Sequence, residues 1–404
     1  MEVLKDYPKE FAKLFRPSFN YLFKINMKFL ADDKGFVRKY WRYSYIIPCL
    51  MINYVTQIWN LANMMSKGKI FEIAYLLPPC LVSTQAILKT IVLVPKTHLL
   101  TNIISELGTL WRARGLTETQ NNAKDLLLKR MNFCNGVSYW VGIIGTTQYL
   151  STPLVETLVR QLVLKQDCEL LLPLDCSYPF NVTGWPVYIA VYGFQVYSMT
   201  LCVSVYVGSE LIMITLCALL GVEFTLLCED LLHVTTNNKG KREKLGNGKE
   251  RMTLNDVVKR HQKLCVLSKK LEEAFNQMIF VDLMFVGLTT CFFRYAAQYS
   301  RGPTYMANNY VAVISSLVYV LYLCYYGELL MGASVRIGDM AYHSSWYRGD
   351  KRYQKTILII ILRSQTPCCL TSMKYAPVTL NMFTKVMSST WSYFSLMNTV
   401  YGDN

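Results

Sequence analysis

The sequence predicts an all-α integral membrane protein of seven transmembrane helices, with a cytoplasmic N-terminus and an extracellular C-terminus. Three observations carry this. Hydrophobic residues make up 52% of the 404 positions and charged residues only 17%, well to the apolar side of a soluble globular chain. Long apolar runs recur along the chain, and seven spans of roughly 20–25 residues would take up about 40% of it. The basic residues behind the net charge of +15 sit in the gaps between those runs rather than along one face. That placement argues against a nucleic-acid footprint and for cytoplasmic loops beside a lipid bilayer.

The first 40 residues mix charges, aromatics and prolines without the basic-apolar-small order of a cleaved signal peptide. They are expected to form a cytoplasmic N-terminal segment, with helices 1–6 and their loops over 41–332. The first span is predicted at 41–62 and the second at 70–94, followed by a third at 131–153 and a fourth that begins at Pro186. The fifth is predicted at 274–300, the sixth at 306–332 and the last at 376–400. An amphipathic segment at 336–363 ends in the apolar run ILIIIL, too short to cross alone. It is expected to be a cytosolic helix within a 333–375 connection, with the last helix and a short tail over 376–404. Lys89 and Arg294 fall near span ends, where long side chains can snorkel to the headgroups.

Residues 186–232 form one mostly apolar block in which Gly208-Ser209-Glu210 offers a tight hairpin. The positive-inside rule decides between one crossing and two. One crossing leaves 32 Lys and Arg inside and 5 outside, whereas two would leave 16 inside and 21 outside. A single crossing follows. It places 233–273 in the cytosol and 154–185 outside. The latter loop holds the triplet Asn181-Val182-Thr183, a glycosylation acceptor if it is used. Cys168 and Cys176 share that loop, where they are either a disulfide or two free thiols. The basic stretch Asn237 to Gly248 is the nearest thing to a linker.

Enzyme chemistry finds no foothold. The four histidines have no metal spacing, the cysteines lie mostly within apolar runs, and no GxSxG, P-loop or GxGxxG is present. No metal and no cofactor are expected. Asp282, inside the fifth span, is either a hydrogen-bonded helix-packing residue or part of an ion path.

The last span carries the most informative pattern. Ser388, Ser392, Ser395 and Thr399 recur at helical spacing on one face, with Leu396 as a hydrophobic constriction that can close by dewetting. Asn381 and Lys385 extend that face, while Leu380, Phe383, Met387, Trp391 and Phe394 lie opposite. A hydroxyl stripe suits a pore wall, and it also suits close helix packing. Aromatics are the second signal. Many belong to an interfacial belt. A subset (Tyr75, Tyr139, Tyr192, Phe292 and Tyr295), interleaved with Ile143, Thr146, Thr147, Gln195 and Asn309, can instead line an apolar pocket with a few polar anchors.

Towards the C-terminus the residues Tyr326-Gly327-Glu328, Ser345-Trp346-Tyr347 and Arg363-Ser364-Gln365-Thr366-Pro367 resemble the insect odorant receptor family. So does the stretch from Tyr375-Ala376-Pro377-Val378 to Ser392-Tyr393-Phe394. The resemblance implies an insect odorant-receptor-type subunit of a ligand-gated, non-selective cation channel in the plasma membrane of an olfactory neuron. It also implies a heterotetramer with the odorant receptor co-receptor, a central pore lined by the last helix, and a small volatile odorant bound in the outer half of the bundle. The short 233–273 segment is similar to an odorant-tuning subunit rather than the co-receptor, which has a long insertion there. SSTWSYF in the last span departs from the gustatory signature. A G-protein-coupled receptor would need its N-terminus outside, against the 32-to-5 charge count, and neither its D/E-R-Y triplet after the third span nor NPxxY in the seventh is present. A secondary transporter would need two related halves with interrupted helices, and none are visible.

Overall fold

The computed structural model describes residues 7–24, 43–67, 70–113, 115–163, 165, 170–182, 184–234, 253–298, 300 and 302–401. Two short helices, α1 (Lys9–Leu14) and α2 (Arg16–Lys24), precede α3 (Tyr43–Ser66), α4 (Ile70–Leu93) and α5 (Thr97–Leu110). Next come α6 (Glu118–Leu158), α7 (Trp185–Leu232), α8 (Leu254–Gln298), α9 (Pro303–His343) and α10 (Lys351–Ser364). A two-stranded hairpin, β1 (Thr371–Ser372) with β2 (Ala376–Pro377), leads into α11 (Leu380–Tyr401). Among the described residues seven helices have 22 residues or more, and four carry a window long and apolar enough to cross a membrane: α4, α7, α8 and α9.

The fold is organised around α7. It is apolar on all sides, and such a helix belongs in a core. Every residue from Val207 to Phe224 is buried, and the helix touches α2, α3, α4, α6, α8 and α9. Gly208-Ser209-Glu210 is not a hairpin. All three positions are helical, and Gly208 is where α2 makes its approach: a Cβ there would lie 2.9 Å from Leu22. The N-terminal segment is thereby drawn into the bundle. Tyr21 donates to the Tyr139 carbonyl at 3.0 Å and packs with Val207, Leu211 and Tyr319.

Local chemistry sets the boundaries of several helices. At the start of α6, Thr117 and Gln120 form a reciprocal capping box. Pro186 and Pro303 stand in the first turns of α7 and α9, where the missing N–H costs no hydrogen bond. The amphipathic segment expected at 336–363 is not one helix. The run of α9 ends at His343 because Ser344 turns extended, and a 3-10 turn over Trp346–Arg348 follows. Asp350 then caps α10, accepting from the Tyr353 amide at 2.8 Å, and α10 folds back along α9. Gly338 leaves the room that Ser364 fills.

Charge ties α7 to α8 and to the segment that follows α5. Glu223, fully buried, accepts from Arg260 at 2.7 Å and from the Arg112 amide at 3.2 Å, while Arg112 pairs with Asp230. His261 packs its ring edge-on to Phe224. Burial and the positive charge of Arg363 push its pKa down to about 4, so it is neutral at physiological pH.

The outward faces of the long helices are strongly apolar. Phe133, Trp140, Ile144, Ile189, Met284 and Ile314 are all more than half exposed. An apolar girdle of this extent suits hydrocarbon rather than water. The basic stretch Asn237 to Gly248 lies outside the described residues.

Candidate functional site: a cavity between helices and an uncovered helix face

Between α4, α6, α7, α8 and α9 lies a cavity of about 140 Å³. Apolar side chains dominate its wall, among them Val82, Met199, Val203, Phe293 and Val311, with Gln85, Thr146, Thr289 and Asn308 as polar points. A dry apolar hole of about 150 Å³ holds one benzene. This cavity therefore has room for a small, mostly apolar molecule of that order.

One wall of the cavity abuts a buried ion cluster. The Lys89 side chain is fully buried, with Nζ 2.5 Å from Glu210 Oε1 and 2.6 Å from Asp282 Oδ1. It also lies 4.2 Å over the Tyr206 ring, and Gln85 Nε2 donates to Asp282 Oδ1 at 2.8 Å. Gln85 and Tyr206 belong to both the cluster and the cavity wall. The expectation that Lys89 snorkels to the headgroups is thus corrected. Two carboxylates, one on α7 and one on α8, meet it inside the bundle, where a charge persists only if paired. Asp282 is accordingly an ion-pair partner that joins α4 to α8. Arg294, half-buried, instead has aromatic neighbours. Its guanidinium is 4.1 Å over the Phe394 ring and 5.2 Å over Trp391, joining α8 to α11.

The residues chosen from sequence for a pocket distribute as follows. Thr146 lines the cavity. Tyr139 and Ile143 stand one turn away, packed on Tyr21, while Thr147 is exposed. Gln195 is buried and clamps the 170–182 segment, holding the Leu174 amide and carbonyl and the Tyr178 hydroxyl, each at 3.0 Å. Tyr192 bonds the Leu150 carbonyl. Phe292 and Asn309 are each one position from a lining residue, Phe293 and Asn308, and Asn309 donates instead to Ser300 Oγ at 3.3 Å. Tyr295 is buried beyond the lining. The side chain of Tyr75 lies outside the described residues, as does Cys168. Cys176 is half-buried and Asn181 is exposed. Gln85, Tyr206 and Tyr319 also line the cavity, and of these Gln85 has a sequence signal, an amide inside an apolar run.

The second feature is α11. Val378 N donates to the Leu370 carbonyl at 2.9 Å, closing the hairpin below the helix. Met373 and Lys374 take positive φ values of 49° and 65° in its turn. Glu328 Oε2 accepts from the Leu380 amide at 2.8 Å and so caps α11 from α9. Gly327 admits the Val378 carbonyl: a Cβ there would lie 2.6 Å from that oxygen. Two of the three residues in Tyr326-Gly327-Glu328 therefore position the last helix. Glu328→Ala is expected to leave that amide uncapped, lowering stability by about 1 kcal/mol. A thermal-unfolding scan of the detergent-solubilised protein measures it.

From that start α11 lays Phe383, Val386, Thr390 and Phe394 against the bundle, in contact with α8 and α9. Ser388, Ser392, Ser395, Leu396 and Thr399 are all exposed. Ser392 and Thr399 each donate to the carbonyl four residues back, at 3.0 Å, leaving their oxygen lone pairs outward. Trp391, expected on the apolar side, is 61% exposed.

A family model described as 7tm Odorant receptor matches residues 71–391. Odorant receptor 67c of Drosophila melanogaster is 26% identical over 193 residues, 47% of this chain and 47% of that protein. Putative odorant receptor 92a of the same organism is 26% identical over 217 residues, 53% of this chain and 52% of that one. The chain thus spans about half the length of the curated relatives it matches. The insect olfactory receptor OR5 from Machilis hrabei shares the fold, with TM-score 0.79 at 16% identity over 95% of this chain and 97% of the other. Its complex with eugenol gives TM-score 0.80 at 15% identity, over 96% and 98%.

Proposed function

Because this chain belongs to the 7tm odorant receptor family, we propose that it is the odorant-binding subunit of a ligand-gated, non-selective cation channel in the plasma membrane. The chain crosses seven times through α3, α4, α6, α7, α8, α9 and α11. Its N-terminus lies in the cytoplasm and its C-terminus outside, as the 32-to-5 distribution of Lys and Arg favours. The observation that carries the reading is the two-sidedness of α11. One face packs on the bundle, and the other leaves Ser388, Ser392, Ser395 and Thr399 uncovered. In a ring of subunits that face lines a wet conduit, with Leu396 as its constriction.

The partner proposed is the odorant receptor co-receptor, in a heterotetramer. The exposed apolar face of α10, formed by Leu358, Ile359 and Leu362, supports a subunit contact on the cytoplasmic side. The ligand proposed is a small, mostly apolar volatile held in the cavity beside Thr146 and Phe293, in the outer half of the bundle. Binding favours the open arrangement by however much tighter the ligand binds it. A G-protein-coupled or gustatory-type receptor is the alternative.

Ser392→Leu tests the pore. With the co-receptor co-expressed, ligand-evoked current is expected to fall severalfold and single-channel conductance with it, at unchanged surface amount. Unaltered conductance and ion selectivity would remove α11 from the pore wall.

A further inference from the structure

Five of the seven hydroxyls in the cavity wall share a bias, those of Thr146, Thr289, Ser315, Ser316 and Tyr319. Thr146 Oγ1 donates to the Gly142 carbonyl at 2.6 Å and Thr289 Oγ1 to the Phe285 carbonyl at 2.8 Å. Ser316 Oγ donates to the Val313 carbonyl at 2.8 Å, and the Tyr319 hydroxyl to the Ser138 carbonyl at 2.9 Å. A hydroxyl has one proton and two lone pairs. Once the proton is given to the backbone, only acceptor capacity is left for a guest. Asn308 adds a further acceptor: one Nδ2 proton goes to Thr152 Oγ1 at 3.1 Å, and its Oδ1 has no partner. Gln85 gives a proton to Asp282, whose own Oδ2 also lacks a partner. The ion cluster behind that wall holds two carboxylates to one ammonium, so it too is rich in acceptors.

We infer that the cavity selects molecules carrying a hydrogen-bond donor, alcohols and phenols, over ethers, aldehydes or esters of equal size. The inference rests on the cavity being the odorant site. An acceptor-only guest meets more oxygens than free N–H or O–H groups and replaces its hydration less completely. A hydroxyl guest finds acceptors already aimed by the helices that carry them. The apolar majority of the wall sets size, and the acceptors set the functional group.

Isomer pairs supply the test, because volume and composition stay constant. The full chain is expressed with the co-receptor, and currents are recorded for 4-methylphenol against methoxybenzene and for 1-hexanol against dipropyl ether. In each pair the donor is expected to act at about tenfold lower concentration, equivalent to about 1.4 kcal/mol. The double variant Thr146→Val/Thr289→Val keeps the shape of the wall and removes two acceptors. It is expected to narrow that ratio at least about threefold. Equal or reversed potency within the pairs, or a ratio that the double variant leaves unchanged, overturns the inference and leaves the receptor reading standing. Silence to all four compounds, with the chain at the cell surface, overturns the assignment of the cavity as the odorant site.

Discussion

Lys89→Met is expected to remove most of the folded receptor. The substitution keeps the length and apolar stem of the side chain but deletes the ammonium that holds Glu210 at 2.5 Å and Asp282 at 2.6 Å. Two carboxylates, each almost wholly buried, then face each other without a cation. Removing one member of a buried ion pair costs about 3–5 kcal/mol. Against a total stability of about 5–15 kcal/mol, that is a large fraction. Surface labelling and the melting temperature of the solubilised protein should both fall steeply. The triple variant Lys89→Met/Glu210→Gln/Asp282→Asn leaves no unpaired charge and is expected to recover much of the loss. A single variant as stable as the wild type would show that the cluster does not hold α4, α7 and α8 together.

Gly327→Val is expected to abolish ligand-evoked current through a different route. The glycine sits on α9 where the Val378 carbonyl comes within 2.6 Å of the place a Cβ would take. That neighbour is backbone, so it cannot swing aside as a side-chain end would. Displacing Val378 shifts the hairpin that closes through the Leu370 carbonyl, and with it the amide of Leu380 that Glu328 caps. The origin of α11 moves as a unit. The misplacement acts on α11, the helix proposed to line the pore, and spares the cavity, which is lined by α4 and α6–α9. Current should therefore be lost while binding of a radiolabelled or fluorescent ligand persists. Loss of both together would point to global misfolding. Normal current would mean that α11 is positioned by something other than this approach.

What could be read from sequence followed the range of the interactions that decide it. The unbroken α7 was legible because charge placement is a property of whole loops, and a hairpin at Gly208 would have put most basic residues on the wrong side. The face of α11 was legible because helical spacing alone brings Ser388, Ser392, Ser395 and Thr399 together. Other features depend on contacts distant in sequence or on neighbouring helices. Lys89 reads as a snorkelling residue within its own helix, and its partners stand 121 and 193 positions further along the chain. The break between α9 and α10 rests on Asp350 as a cap, a signal that the continuing apolar run outweighed. The pocket reading chose helix faces from aromatics, yet rotation about each axis is set by neighbours. Hence Phe293 and Asn308 line the cavity, one step from Phe292 and Asn309. The role of α2 was hidden because its contact, Gly208 beneath Leu22, joins elements far apart in sequence.

The most direct measurement concerns the side on which the chain ends. An epitope fused after Asn404, with a second before Met1, is probed by antibody in intact and in permeabilised cells. Seven crossings place the first tag within reach of antibody in intact cells and hide the second until the membrane is opened. A C-terminal tag stained only after permeabilisation would take α11 out of its proposed orientation, and the channel reading with it.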